Sequence, residues 1–142
     1  MNEKNNISCQ LKALLEQYDF NIITLSNYLQ LTVPDIRRLA GGDVDFLPDE
    51  PACRFRIFNK ISFLYQSAVE NKDLKLCAFL EVLLSYHGLS KQTIAKMADV
   101  EVKEIEGLLA NPPKEISGES RFKIAVTVAS LRFFLKDCEP EP

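Results

Sequence analysis

Between Ser85 and Leu109 the apolar positions fall into two short runs at helical spacing. Ser90 is a good N-cap, and Ile94, Ala95 and Ala98 follow it on one face. Ala98-Asp99 breaks that run, Val100 bridges, and Val102, Ile105, Leu108 and Leu109 form the second. The pattern predicts two amphipathic helices joined by a turn of about three or four residues, with the small Ala95 allowing close approach.

The rest of the chain follows the same grammar. Ile7 to Tyr18 carries Ile7, Leu11, Leu14, Leu15 and Tyr18 on one helical face, with Asn6 as its cap. Asn21 caps a helix that turns Ile22, Leu25, Tyr28 and Leu29 inward. Thr32, Val33, Pro34 and Asp35 resemble a capping box, and the helix they open carries Ile36 and Leu39 before Gly41-Gly42 stops it. Asp43 to Glu50 reads as an acidic loop holding Phe46, Leu47 and Pro48. Pro51 opens a long helix to about Glu70, with Phe55, Phe58, Ile61, Leu64, Tyr65 and Ala68 as its apolar stripe. Asp73 caps the next, which carries Leu74, Cys77, Leu80, Leu83, Leu84 and Tyr86 and closes at Gly88. After the two short helices, Asn111-Pro112-Pro113 marks a stop. Ser117 then caps a last helix, with Phe122, Ile124, Ala125, Val128, Leu131, Phe134 and Leu135 inside. The tail from Cys138 is acidic, broken by proline and expected to fray. The fold class expected is all-α, with about eight helices.

The pattern repeats. At a constant offset of 69 residues, Leu11, Leu14 and Leu15 fall on Leu80, Leu83 and Leu84. Thr24 falls on Thr93, Leu25 on Ile94, Val33 on Val102, Ile36 on Ile105 and Leu39 on Leu108. Farther on, Arg54-Phe55-Arg56-Ile57 matches Arg121-Phe122-Lys123-Ile124 at an offset of 67. One offset held across three helices and two turns predicts an internal duplication, with units at 1–71 and 72–142.

Composition narrows the chemistry. Of 142 residues, 46% are hydrophobic and 26% charged, an ordinary globular balance. No apolar run is long enough to span a bilayer, and the polar N-terminus has no signal-peptide core, so a cytoplasmic location without membrane contact is expected. Cys9, Cys53, Cys77 and Cys138 are too scattered for zinc and read as buried small hydrophobes in a reducing compartment. No catalytic set or phosphate loop is visible. His87, the single histidine, sits at a helix end where it would meet free carbonyls. No enzymatic activity, metal or cofactor is therefore expected. A net charge of −3 weakens a nucleic-acid reading without excluding it, because a local patch matters more than the sum.

The paired short helices are similar to the helix-turn-helix of the Cro and phage-repressor (Xre-like) group. That group shows an apolar-Ala pair, Gly four residues later, an apolar residue, a small polar cap, then an apolar residue four on. Here the pattern reads Ile94-Ala95, Asp99, Val100, Glu101 and Ile105, and earlier Leu25-Ser26, Gln30, Leu31, Thr32 and Ile36. Both copies lack the turn glycine. The resemblance implies a DNA-binding transcriptional regulator of prokaryotic or phage type that reads the major groove of double-stranded DNA with the second helix, usually as a dimer.

The first copy supplies the candidate DNA-binding residues Thr32, Arg37, Arg38, Arg54 and Arg56, with Lys60 as a further cation. Asp35, Asp43, Asp45, Asp49 and Glu50 lie nearby in sequence, and pairing of Arg37 and Arg38 with them is an equal alternative. In the second copy Glu101, Glu104 and Glu106 occupy the reading helix, which leaves Lys91, Gln92, Lys96 and Lys103 to touch the DNA backbone. The first copy is thus expected to do most of any reading. The contrasting expectation is a protein-interaction module that keeps the fold without DNA, with a homodimer or another protein as its partner.

Overall fold

In a computed structural model the backbone of residues 3–139 and the side chains of residues 6–139 are described. Eight α-helices are present among them: α1 Glu3–Glu16, α2 Ile22–Leu29, α3 Val33–Ala40, α4 Pro51–Val69, α5 Lys72–Ser85, α6 Lys91–Ala98, α7 Val102–Leu109 and α8 Gly118–Leu135. A 3-10 turn, Lys136–Cys138, follows α8, and no strand occurs among the described residues. The fold is all-α. The chain divides into two compact units, the first ending at Glu70 and the second beginning at Asn71.

In the first unit α1 packs on α3 and α4, and α2 on α3 and α4. The core is built from Ile7 and Leu11 of α1, Leu25 and Leu29 of α2, Ile36 and Leu39 of α3, and Ile57 and Ile61 of α4. Val44 and Leu47 join it from the loop before α4. In the second unit α8 packs on α5 and α6, and α6 on α7. Its core holds Leu80, Leu83, Ile94, Ala95, Ala98, Ile105, Leu108, Ile124 and Val128.

Local chemistry explains most helix starts. The Asn21 carboxamide oxygen accepts from the N–H groups of Ile23 and Thr24, and Thr32 Oγ1 accepts from the Asp35 N–H. Ser90 and Ser117 cap α6 and α8 through the N–H groups of Thr93 and Ser120. Asn71, not Asp73, caps α5, accepting from the Leu74 N–H; Asp73 lies inside the first turn. α1 begins at Glu3, so Asn6 is inside it rather than its cap.

The turn between the paired helices is the same in both units. Gln30 (φ 55°) and Asp99 (φ 59°) both take the left-handed conformation that glycine would adopt most easily. Leu31 and Val100 each return an N–H to the carbonyl five residues back, Ser26 and Ala95 respectively. Within the loop that leads into each pair, Asp19 and Gly88 are also left-handed. Where the second unit has buried Ala95, the first has Ser26, whose hydroxyl donates to the Leu31 carbonyl inside the turn.

The long helices depart from the expected faces. Phe55 is exposed and Ile57 is buried in α4; Phe122 and Phe134 are exposed in α8, with Ile124 and Val128 buried. Leu74 and Tyr86 are likewise outward, and Tyr18 lies beyond the end of α1. Each of these helices carries apolar residues around most of its circumference, so periodicity does not select one stripe. The face that meets the neighbouring helices decides.

Candidate nucleic-acid interface

Thr32 is committed to its cap, with the hydroxyl oxygen 3.2 Å from the Asp35 nitrogen. One turn on, α3 presents Arg37 and Arg38 to solvent, and their fates differ. Arg38 is held on three sides. Its Nε donates to Asp43 at 3.0 Å, a second nitrogen lies 2.9 Å from the same oxygen, and Asp35 stands 3.9 Å away. The guanidinium also stacks over the Phe46 ring at 4.6 Å.

Arg54 works from the other side of the same loop. From the first turn of α4 it donates to the Pro48 carbonyl at 2.9 Å and to the Leu47 carbonyl at 3.3 Å, with Asp49 at 3.6 Å. Together the two arginines clamp residues 43–50, whose Val44 and Leu47 plug the core beneath. For Arg38, therefore, pairing with the neighbouring carboxylates describes the geometry. The clamp escaped sequence reasoning because Val44 and Leu47 show no periodicity.

The Arg37 side chain has no ion-pair or hydrogen-bond partner among the described residues. It lines a concavity of about 530 Å³ together with the apolar Leu15, Phe20, Ile22 and Ala40. Lys12 and Glu16 of α1 line it as well. No sequence signal joins Lys12 to Arg37; the packing of α1 on α3 does so. Arg56 is exposed on α4 beside Glu50, also without a described partner. Lys60 is unavailable, because it is turned onto Tyr28.

The second unit offers less positive charge. Lys91 and Gln92 sit at the first positions of α6, half-buried and exposed respectively, and Lys91 has no ion-pair partner among the described residues. Lys103 pairs with Glu101 at 3.0 Å, and that hydrogen bond, with the charge behind it, holds the ammonium pKa above its usual value. Glu104 accepts from the Glu101 N–H at 3.0 Å and from the Ser120 hydroxyl, which together push its carboxyl below the ordinary range. Glu106 is exposed on the same helix. The surface of α7 is thus carboxylate-rich, with its one lysine already neutralised.

His87 does not cap carbonyls. Its Nε2 lies 3.0 Å from Glu139, which also takes a hydrogen bond from Arg132, so the chain up to Glu139 is tied down rather than frayed; the last residues of the tail, 140–142, lie outside the described residues. The His87 bond leads the interactions that hold the Glu139 pKa below its usual value. Cys9 and Cys138 are exposed rather than buried. Among the described residues, no group of three or more His, Cys, Asp or Glu is placed to hold a metal, and no helix is long and apolar enough to cross a membrane.

A family model described as a helix-turn-helix domain matches residues 2–141. No curated protein and no solved structure matches the chain.

Proposed function

The chain belongs to the helix-turn-helix domain family, and from that premise we propose that it is a DNA-binding transcriptional regulator, not an enzyme, of prokaryotic or phage type. It reads DNA mainly through its first unit. The two units are divergent tandem copies of a Cro-like motif, occupying 1–71 and 72–142. Support for the duplication comes from the caps and left-handed residues that recur at the offset of 69, Gln30 with Asp99 and Asp19 with Gly88.

The observation that carries the first-unit reading is Arg37. It is an unpaired cation on the exposed face of the second helix of the pair, and Lys12 and Glu16 line the same concavity. The matching position in α7 is Glu106. A carboxylate there faces DNA phosphates with repulsion, whereas each phosphate neutralised by Arg or Lys adds about 0.9 to the salt slope. Thr32, Arg38 and Arg54 hold α3 and its following loop in place; Arg56, Lys91 and Gln92 are auxiliary backbone contacts.

The test is a titration of the full chain against DNA fragments selected from its source genome, at several salt concentrations. Binding should weaken with salt, and Arg37→Ala should flatten the slope by about 0.9, with Lys12→Ala adding up to a similar amount. Lys103→Ala should change little. If the wild-type chain shows no salt-sensitive binding to any fragment, the DNA reading fails. The carboxylates of α7 and of residues 43–50 would then favour a protein-interaction module.

A further inference from the structure

We propose that the outward face of α8 is the interface of an antiparallel homodimer, in which Phe122 of one copy packs on Phe133 of the other. Residues Glu119, Phe122, Val126, Ala129, Phe133 and Lys136 follow one another at spacings of 3, 4, 3, 4 and 3. That is the strict heptad seam of a two-helix coiled coil rather than the broader stripe of a helix lying on a core. The seam faces solvent: Phe122 is 69% exposed, Val126 51% and Phe133 77%. The core of this unit is already supplied from the other side of α8 by Ile124 and Val128. Lys136 lies just past the end of α8, where it opens the 3-10 turn with αR backbone angles (φ −57°, ψ −38°), so its long side chain extends the seam by one turn.

The chemistry of the seam specifies its partner. Read from either end of an antiparallel pair, Glu119 meets Lys136, Phe122 meets Phe133, and Val126 meets Ala129. Each large residue faces a large one at the ends, and the small Ala129 allows close approach at the centre. In a parallel pair Glu119 would face Glu119 and Lys136 would face Lys136, which is repulsive. Glu119 remains 80% exposed despite its 3.5 Å contact with Lys123, and Lys136 has no ion-pair partner among the described residues. Phe134 lies against Phe133 edge-to-face at 5.3 Å and widens the apolar surface. An aromatic side chain typically buries about 150–250 Å². Three largely exposed phenylalanines and Val126 therefore offer roughly 500 Å² per copy, or about 1,000 Å² in all, the lower limit for a stable interface. The seam itself carries no charge between its two ends, so its own second copy is the complement it specifies. This inference does not depend on DNA binding.

The experiment is sedimentation equilibrium of the full chain across a concentration series, with helicity followed by circular dichroism. The wild type should dimerise reversibly. Phe133→Asp, at a residue outside the core, should abolish the dimer and keep the helicity. Glu119→Lys and Lys136→Glu should each weaken dimerisation about tenfold, and the double swap should restore it. A monomer at every concentration overturns the proposal, as does a dimer indifferent to Phe133→Asp. A dimer lost with Phe133→Asp that the double swap fails to restore after the single changes weaken it overturns the antiparallel pairing.

Discussion

Tyr28 and Lys60 serve each other's backbone. The Lys60 ammonium donates to the Tyr28 carbonyl at 2.7 Å, and the Tyr28 hydroxyl donates to the Lys60 carbonyl at 2.9 Å. The ammonium also lies 4.7 Å from the centre of the Tyr28 ring. Burial pushes the Tyr28 phenol above its ordinary pKa. The pair pins the end of α2 to the middle of α4, and so fixes the helix that precedes the turn at Gln30.

Tyr28→Phe is expected to destabilise the first unit by about 1 kcal/mol, the net worth of one hydrogen bond. Lys60→Met removes a charge-assisted bond and should cost about 1–2 kcal/mol. Because both side chains act on the same junction, the double variant should lose less than the two single losses together. Denaturant unfolding of the four proteins measures this; full additivity would mean the two residues act independently.

Gln30→Gly should stabilise the first unit. A non-glycine residue in the left-handed region costs about 1 kcal/mol, partly offset by the greater freedom of glycine in the unfolded chain. Gln30 is exposed, so little packing is lost. A gain of about 0.5 kcal/mol in unfolding free energy is expected, and a loss would show that the turn conformation differs from φ 55°.

Ile36→Ala and Ile105→Ala should each destabilise their own unit by about 2–5 kcal/mol, since both side chains are fully buried at matching positions. A loss below about 1 kcal/mol at either site, read from the denaturant midpoint, would place that residue outside the core.

Glu104 links α7 to α8 through Ser120, and its folded pKa lies below the ordinary 4.5. A carboxylate with a depressed pKa contributes stability that is fully present above its unfolded value. The contribution is lost as pH falls through the lowered folded value. Glu104→Gln should therefore lower the unfolding midpoint at neutral pH and reduce the steepness with which stability falls below about pH 4.5. Equal acid sensitivity of the two proteins, measured by thermal unfolding from pH 7 to pH 2.5, would refute this role.

Much of the fold is legible in short stretches of sequence because the forces involved act over one or two turns. Asn21, Thr32, Ser90 and Ser117 cap helices from within three residues of the N–H groups they satisfy. The faces of α2, α3, α6 and α7 could be read because most apolar residues of each short helix fall on one stripe, with Ile23 and Met97 the exposed exceptions. Leu25, Ile36, Ile94 and Ile105 are all fully buried.

The long helices and the cations obey no such local rule. α4 and α8 are apolar around most of their surface, so only the packing of neighbouring helices selected Ile57 and Ile124 over Phe55 and Phe122. The sequence by itself determined the helices, their caps, the turn and the pool of basic residues near it. Tertiary structure decided which of those residues stay available: Arg38 and Arg54 are drawn onto the 43–50 loop and Lys60 onto Tyr28, whereas Arg37 stays unpaired among the described residues. The reason is distance along the chain. A cap joins atoms about three residues apart, but Lys60 reaches a carbonyl 32 residues away and His87 a carboxylate 52 residues away, and only packing brings such groups together.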